Sequence, residues 1–591
     1  MAVSAHKFRT FLSERRRLAG DLARRFASES RGLVLLLACL TGIAGGAIAS
    51  LMAEATILLH RLLFGVPAGE RLSGGYLPQP LDIFLWLVLG GLILGFSNIA
   101  WKHVGSGDIL DPIEANALYG GRMGVGGSLF VAGQAAVANG VGGSVGIEGG
   151  FTQLASALGS WLGRLFGRSR EDLRLLVACG AAGAISGAFD APFAGIAYAF
   201  ELILAAYSPA VLAPVVLASI GGKYAASLTA GHGYRIALEG DLSAVDHSYI
   251  WAVAIGLLCG LFAILLMYAA TMLERWLSKT TLPKPIITAS GGLAMAGVAL
   301  MSPHVMGSGH GGIDFIFANT LSAMALASIF ALKLVACTVC IGSGFRGGLF
   351  SASLFLGALL GGAVGILVVQ FGVMPGSALL GMQVVAMSAF GAAVVGTPLA
   401  MAILAAEITS QIGLMPEVLL GVVVATLVVR TLFGYSFSIW RLHVRGSPAR
   451  SAADIAWSRS IMMREIMRPD VVKLPDTVTC GELLQNYPPG SIKWIALVDA
   501  GDQYAGLCDL AELAFAAKSR EEPARSFARQ QSEFLSLSQN LEDAMLWFEV
   551  PGREAAVVVG SRSTKEIVGI VTESYVLKRY AQELERRRMH E

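Results

Sequence analysis

The sequence predicts an all-α polytopic membrane protein with two repeated halves and broken helices, followed by a soluble α/β tail. Three observations predict this: where the charge lies, how the apolar runs are interrupted, and what recurs. Of the 86 charged side chains, 11 fall in residues 1–31 and 41 in 441–591, leaving 34 for the 409 residues between. The whole chain is 15% charged with 71 glycines and a mean hydropathy of +0.63, against about 25% charge and about 7% glycine in soluble domains. The net charge of +2 excludes a general polyanion binder, so no nucleic acid is expected as a partner.

Residues 1–31 hold eight basic and three acidic side chains directly before an apolar run, which predicts a cytoplasmic N-terminal segment. The run from Gly32 to about Leu63 is much longer than the hydrophobic part of a cleaved leader, so cleavage is not expected. Clear spans are predicted near 33–64, 82–101 and 249–275, each able to cross about 30 Å of hydrocarbon. Between 121 and 231 and between 321 and 434, apolar stretches are cut by GG, GSG, Pro or a lone charge, which predicts broken helices buried in protein. The seven cysteines are odd in number and sit mostly in apolar segments, so no disulfide framework or metal site is expected.

Three elements recur in order at offsets near 200. Gly105-Ser106-Gly107 before Ala115-Asn116 returns as Gly307-Ser308-Gly309 before Ala318-Asn319. Gly146-Ile147-Glu148-Gly149-Gly150 returns as Gly344-Phe345-Arg346-Gly347-Gly348, with five glycines at a constant offset of 198. Pro192 with Glu201 nine residues on returns as Pro398 with Glu407 nine on. Duplicated halves with paired interrupted segments are a transporter architecture whose site lies near mid-membrane at the repeat interface. The expected domains are 32–440 for the membrane part (halves about 32–231 and 249–435) and 441–591 for the tail.

The tail reads as two units of strand, helix, two strands and helix, about 461–515 and 533–585, joined by a polar linker at 516–532. One unit carries Trp494-Ile-Ala-Leu-Val498 and the other Ala555-Ala-Val-Val-Val559.

A broken helix offers unpaired N–H groups and about half a positive charge at its N-terminus, so converging ends make an anion site without a buried cation. The stretches opening at Gly105, Gly146 and Gly347 are the candidates, and Ser106 adds a hydroxyl. Glu148 is a lone carboxylate between glycines in a membrane segment, where such residues are expensive and functional. Ionised, it can occupy the anion site; protonated, it loses its attraction for the N–H groups and swings aside, which links proton and anion movement. Glu201 and Glu407 sit late in apolar helices at matched positions, which favours capping or bridging of neighbouring helices over a proton role for Glu201. Arg346 holds the place in the second half that Glu148 holds in the first.

Val104-Gly-Ser-Gly, Gly146-Ile-Glu-Gly-Gly and Gly342-Ser-Gly-Phe-Arg-Gly-Gly-Leu-Phe350 resemble the GSGIP, GREGP and GSGxxGGxF signatures of the CLC chloride channel and chloride/proton antiporter family, over roughly residues 30–445. The tail resembles the paired CBS domains of many members. The resemblance implies a homodimer of inverted-repeat protomers in the cell's inner (plasma) membrane, with lipid around it and both termini cytoplasmic. It implies a chloride site built from Ser106, the N–H groups of Leu349 and Phe350, backbone around Gly146, Ile147 and Gly149, and a tyrosine, with Glu148 as gate. That aromatic is Tyr435 in Phe-Gly-Tyr-Ser or, alternatively, Trp440. Chloride/proton exchange is the leading function and a passive chloride channel the alternative.

Four positions depart from the family pattern. Gly150 replaces the final Pro of GREGP, Asp108-Ile109 replaces the Ile-Pro after GSG, and Leu202 stands where known exchangers carry a proton-relaying glutamate. In the tail, where nucleotide-binding CBS units carry Ser/Thr and, three residues on, Asp, the two sites read Asp509 with Glu512 and Thr572 with Tyr575, so Asp509 would repel phosphate in one unit and Tyr575 replaces the ribose-binding acid in the other. No cofactor is therefore expected, and an adenine nucleotide is the one ligand class the tail resemblance raises. A membrane hydrolase using Ser106 or Ser343 with His310, and a divalent-cation transporter, lack the ordered residue sets those chemistries need.

Overall fold

The computed structural model describes residues 31–104, 109–230, 233–236, 238, 248–444, 461–488, 493–516, 520–531, 533–548, 550, 552–561 and 564–588. Ser106, Asp108 and the basic side chains before Arg31 lie outside them. The chain divides into two units, one ending at Ala453 and one starting at Asp454. The break lies beyond the compositional change at Arg441, because a helix over Phe437–Val444 continues the first unit.

The first half of the membrane unit runs α1 (Arg31–Phe64), α2 (Pro80–Val104), α3 (Pro112–Leu118), α4 (Val125–Gly140), α5 (Glu148–Leu165), α6 (Arg170–Phe189), α7 (Pro192–Tyr198) and α8 (Pro209–Ala230). A π-helical turn, Ala199–Leu204, extends α7. The second half runs α9 (Ser248–Ser278), α10 (Lys284–Met301), α11 (His310–Ala318), α12 (Ala323–Ser343), α13 (Phe350–Gln370), α14 (Ala378–Val395), α15 (Pro398–Thr409), α16 (Met415–Leu432) and α17 (Phe437–Val444). Two of the repeated motifs open matching helices, α5 with α13 and α7 with α15, and the second Gly-Ser-Gly copy leads directly into α11, the counterpart of α3. Among the described residues, ten helices are long and apolar enough to cross a membrane, which makes this a multi-pass integral membrane protein.

Many stretches that sequence predicts as broken are continuous helices, including α6, α8, α12, α13 and α14. Their glycines bring helix backbones together instead of ending them. A Cβ on Gly45 would lie 2.7 Å from the Gly180 carbonyl oxygen, and one on Gly187 would lie 2.7 Å from the Cα of Gly46. That is the small-residue contact by which membrane helices pack without a hydrophobic driving force. Three of the short helices begin with Pro112, Pro192 and Pro398, where proline suits the first turn of a helix and cannot extend one from before it. Side chains such as Leu62, Leu81 and Leu228 are about two-thirds exposed or more and form an apolar outer surface.

In the second unit, β1 (Val472–Pro475), β2 (Trp494–Val498) and β3 (Tyr504–Asp509) form one sheet, and β4 (Leu535–Ser536), β5 (Ala555–Val559) and β6 (Ile567–Thr572) form another. Both sheets pair parallel then antiparallel, with a matching register shift at Leu497/Val498 and at Val558/Val559. The two pack through a shared core that includes Ala496, Leu507, Val557 and Ile570. The expected linker is partly built into this fold, since Arg529 and Leu507 exchange both backbone hydrogen bonds at 2.9 Å.

Candidate functional site

The site begins with two glycines. Gly146 and Gly348, one from each half, exchange backbone hydrogen bonds of 2.8 and 3.0 Å in an isolated antiparallel bridge. α5 and α13 each start within two residues of it, and neither is capped by the side chain of its own N-cap residue, Ile147 or Leu349. Two helix starts therefore leave the same point, each with first-turn N–H groups that have no partner within its own helix and with the positive end of its dipole. Gly347 must lack a side chain, because a Cβ there would lie 2.6 Å from Val145 Cβ and 2.7 Å from the Gly146 oxygen.

Glu148, the first residue of α5, is 3% exposed. Its Oε1 accepts a hydrogen bond from the Ser351 hydroxyl on α13, and its carboxylate faces the backbone N–H groups of Ser351 and of Glu148 itself. Oε2 has no hydrogen-bond partner and fills the space a Cβ on Gly146 would need. The carboxylate of one half thus sits on the first turn of the matching helix of the other.

Two cavities meet at this residue. The larger, about 420 Å³, is lined by Gly149, Tyr198, Leu202, Ser343, Arg346, Leu349 and Phe350 among others. The smaller, about 130 Å³, is lined by Glu54, His60, Arg71, Asn139, Ile147, Tyr234, Ser308 and His310 among others. Among the described residues, Glu148 is the one that lines both.

A family model described as voltage gated chloride channel matches residues 85–430, more than half of the chain. The chain belongs to this family. It is 29% identical over 422 residues to the voltage-gated ClC-type chloride channel ClcB of Salmonella dublin, covering 69% of this chain and 98% of that one. The protein of the same name from Escherichia coli is 26% identical over 420 residues, at the same coverage. Among solved structures, a slow cyanobacterial Cl−/H+ antiporter matches with TM-score 0.61 at 19% identity, covering 70% of this chain and 97% of that one. A eukaryotic CLC transporter matches with TM-score 0.59 at 18% identity over 92% of this chain and 97% of that one, which is more than the membrane unit alone holds. A CLC-type fluoride/proton antiporter matches with TM-score 0.55 at 19% identity over 67% of this chain and 96% of that one. At these identities the structures establish the CLC fold, an all-helical membrane part with a small α/β tail.

Within that fold, several predicted site residues come together: Glu148, Gly146, Gly149, Leu349 and Phe350 at the bridge and the larger cavity, with Ile147 on the smaller one. Tyr435 does not line either cavity. The chain turns at Gly434, φ 87°, and the Tyr435 ring packs against Phe433 at 6.2 Å and Trp440 at 5.4 Å. Trp440 in turn donates from Nε1 to Thr271 Oγ1 at 2.8 Å. The tyrosine on the larger cavity is Tyr198, its ring 6.2 Å from that of Phe350.

Glu201 is turned to another task. Its two carboxylate oxygens accept the N–H groups of Leu399 and Ala400, both at 2.9 Å, at the start of α15. Glu407 does the same for Phe193 and Ala194 at the start of α7, at 3.1 and 2.8 Å. Each carboxylate caps the helix of the opposite half, which is the bridging role its repeat position favoured. The neighbouring Leu202 is what faces the larger cavity.

Sequence reasoning missed Lys333, Ser351 and Tyr198, and assigned His310 only to a hydrolase. Lys333 is fully buried, donates to the carbonyls of Val305 at 3.0 Å and Gly307 at 2.9 Å, and its charge acts on Glu148. A lone lysine in an otherwise uncharged 21-residue helix was a usable signal. Ser343, the other proposed nucleophile, donates to Cys340 O at 3.3 Å, while His310 is bonded to Ser308 and Ser351.

Proposed function

We propose that this chain carries chloride across the membrane in exchange for protons, with Glu148 as the gate. The observation that supports it is the place of Glu148, the residue common to both cavities, with its carboxylate on the first turn of α13. An ionised carboxylate there takes the N–H groups and dipole an anion would use. Protonation removes that attraction and frees the position, so chloride and carboxylate alternate at one place. The N–H groups of Gly149, Leu349 and Phe350 then bind the anion, with the backbone of Gly146 and Ile147 framing it and the Ser106 hydroxyl completing the set. For the hydroxyl on the far side we favour Tyr198, which lines the cavity, over Tyr435.

A passive chloride channel of the same fold is the second reading. It is favoured by Leu202 on the larger cavity and by Glu201, whose carboxylate is engaged by two backbone N–H groups. Family membership further supports a two-copy assembly in lipid in the cell's inner membrane, and the basic first 31 residues support cytoplasmic termini.

We read the tail as a degenerate CBS-like pair that acts structurally. Asp509 Oδ1 accepts the N–H groups of Ala511 and Glu512, capping its own helix, and the Arg468 guanidinium lies 4.9 Å over the Tyr575 ring. Both positions that would meet a nucleotide are thereby engaged, so no cofactor is assigned.

The test is purified protein in liposomes loaded with high chloride, with chloride efflux and external pH recorded together. Proton movement driven uphill by the chloride gradient supports exchange. Chloride efflux without proton movement supports the channel.

A further inference from the structure

A hydrogen-bonded chain joins Glu148 to the smaller cavity. Ser351, fully buried on α13, donates to Glu148 Oε1. His310 Nε2 lies 3.1 Å from Ser351 Oγ, and His310 Nδ1 lies 2.7 Å from Ser308 Oγ. Ser308 and His310 both line the smaller cavity. Ser308 belongs to the second copy of the Gly-Ser-Gly motif, and His310 follows that motif directly.

Donor and acceptor counting fixes the direction of this chain. An ionised carboxylate only accepts, so the Ser351 hydrogen points at Glu148. Ser351 Oγ must then accept from Nε2–H, which leaves Nδ1 of the neutral ring to accept from the Ser308 hydroxyl. All three hydrogens point toward the gate. Oε2 offers no second route, being buried without a partner.

We propose that Ser308, His310 and Ser351 are the proton relay between the smaller cavity and Glu148, a role that rests on the gating function assigned to Glu148 above. One transfer moves each hydrogen along one bond. The Ser351 proton goes to Glu148 Oε1, the Nε2 proton to Ser351 Oγ, the Ser308 proton to Nδ1, and a proton from cavity water restores Ser308. Glu148 ends neutral, both serines keep one hydrogen, and the ring changes tautomer without holding net charge. Release to the same cavity runs the chain in reverse.

The surroundings favour a neutral ring. Tyr234 lies edge-on at 4.5 Å and donates to Asp314 Oδ1 at 3.0 Å and to His310 O at 3.3 Å. Asp314 is 3.9 Å from Arg71, and Arg71 lies over the Tyr234 ring at 5.0 Å. Lys333 holds the Gly307 carbonyl just before Ser308, and His60, bonded to Asn139 O, shares the cavity with Glu54. Burial of the ring first, and then the charges of Arg71 and Lys333, make an imidazolium costly, and tautomer exchange avoids forming one.

The experiment is the full-length protein in liposomes, with chloride flux followed after a rapid pH step. His310→Gln keeps a donor where Nε2 stands but cannot pass a proton by changing tautomer. The flux response should slow by about tenfold or more in His310→Gln and in Ser351→Ala, and recover in Ser351→Thr. Wild-type speed in both His310→Gln and Ser351→Ala would overturn the relay. So would a His310→Gln variant that responds at wild-type speed while His310→Ala leaks chloride, since His310 would then only position the carboxylate. A wild-type flux that ignores pH would instead refute the gate itself, a result separable from the others because no variant is needed to see it.

Discussion

Replacing Glu201 by Gln separates a helix cap from a proton carrier. Glu201 and Glu407 form a reciprocal clamp in which each carboxylate takes two N–H groups at the first turn of the other's helix. Gln keeps one acceptor oxygen, loses the charge and turns an amide donor toward a backbone N–H. Losing one such partner leaves a helix-start donor unsatisfied, a cost of about 1–3 kcal/mol. Partial exposure of the glutamates places the expected value in the lower half of that range. Because α7 and α15 hold each other, loosening one end loosens both, so the double variant should lose less than the sum of the singles. The assay is apparent thermal stability in detergent for Glu201→Gln, Glu407→Gln and the pair, with proton and chloride flux measured on the same samples. The cap reading expects equal destabilisation by the two singles and equal, modest effects on coupling. Wild-type stability in Glu201→Gln together with selective loss of proton movement would refute it.

Three further outcomes are expected. Glu148→Gln should remove the pH dependence of flux and proton coupling while chloride still moves; coupling that persists in flux recordings would take Glu148 out of the gate. Gly347→Ala should push against Val145 and the Gly146 carbonyl, costing about 1–3 kcal/mol and weakening anion binding; wild-type stability and chloride affinity would show that the bridge yields freely. In the tail, the hydrogen bond from Lys493 at 2.5 Å holds the Glu554 carboxyl below its usual range. That pair favours the fold above the ordinary carboxylate pKa and loses its effect as pH falls through the depressed one. Both groups are exposed, so Lys493→Ala should change stability by no more than about 0.5 kcal/mol at neutral pH, as denaturant unfolding monitored at two pH values would reveal.

Local chemistry carried much of this protein's identity in its sequence. Charge scarcity and long apolar runs marked the membrane part because unpaired charge is expensive in hydrocarbon, and that cost acts on each segment separately. The repeated glycine motifs marked where helices begin around the site, and the isolated Glu148 marked the carboxylate that lines both cavities, since both are features of a few adjacent residues. Short continuous apolar runs marked the central tail strands close to where they lie. Tertiary structure decided what depends on two distant segments meeting. Glycines in α6 and α13 read as helix breaks because sequence does not reveal the backbone packed against them. Glu201 and Glu407 became mutual caps through contacts 198 and 214 residues away in sequence. Tyr198 reached the cavity while Tyr435 turned into an aromatic cluster; Ser351 met Glu148 because the two halves cross at the Gly146–Gly348 bridge, and met His310 because α11 and α13 pack within the second half. The sequence alone determined which groups are costly enough to need partners; the packing of one half on the other decided which partners they found.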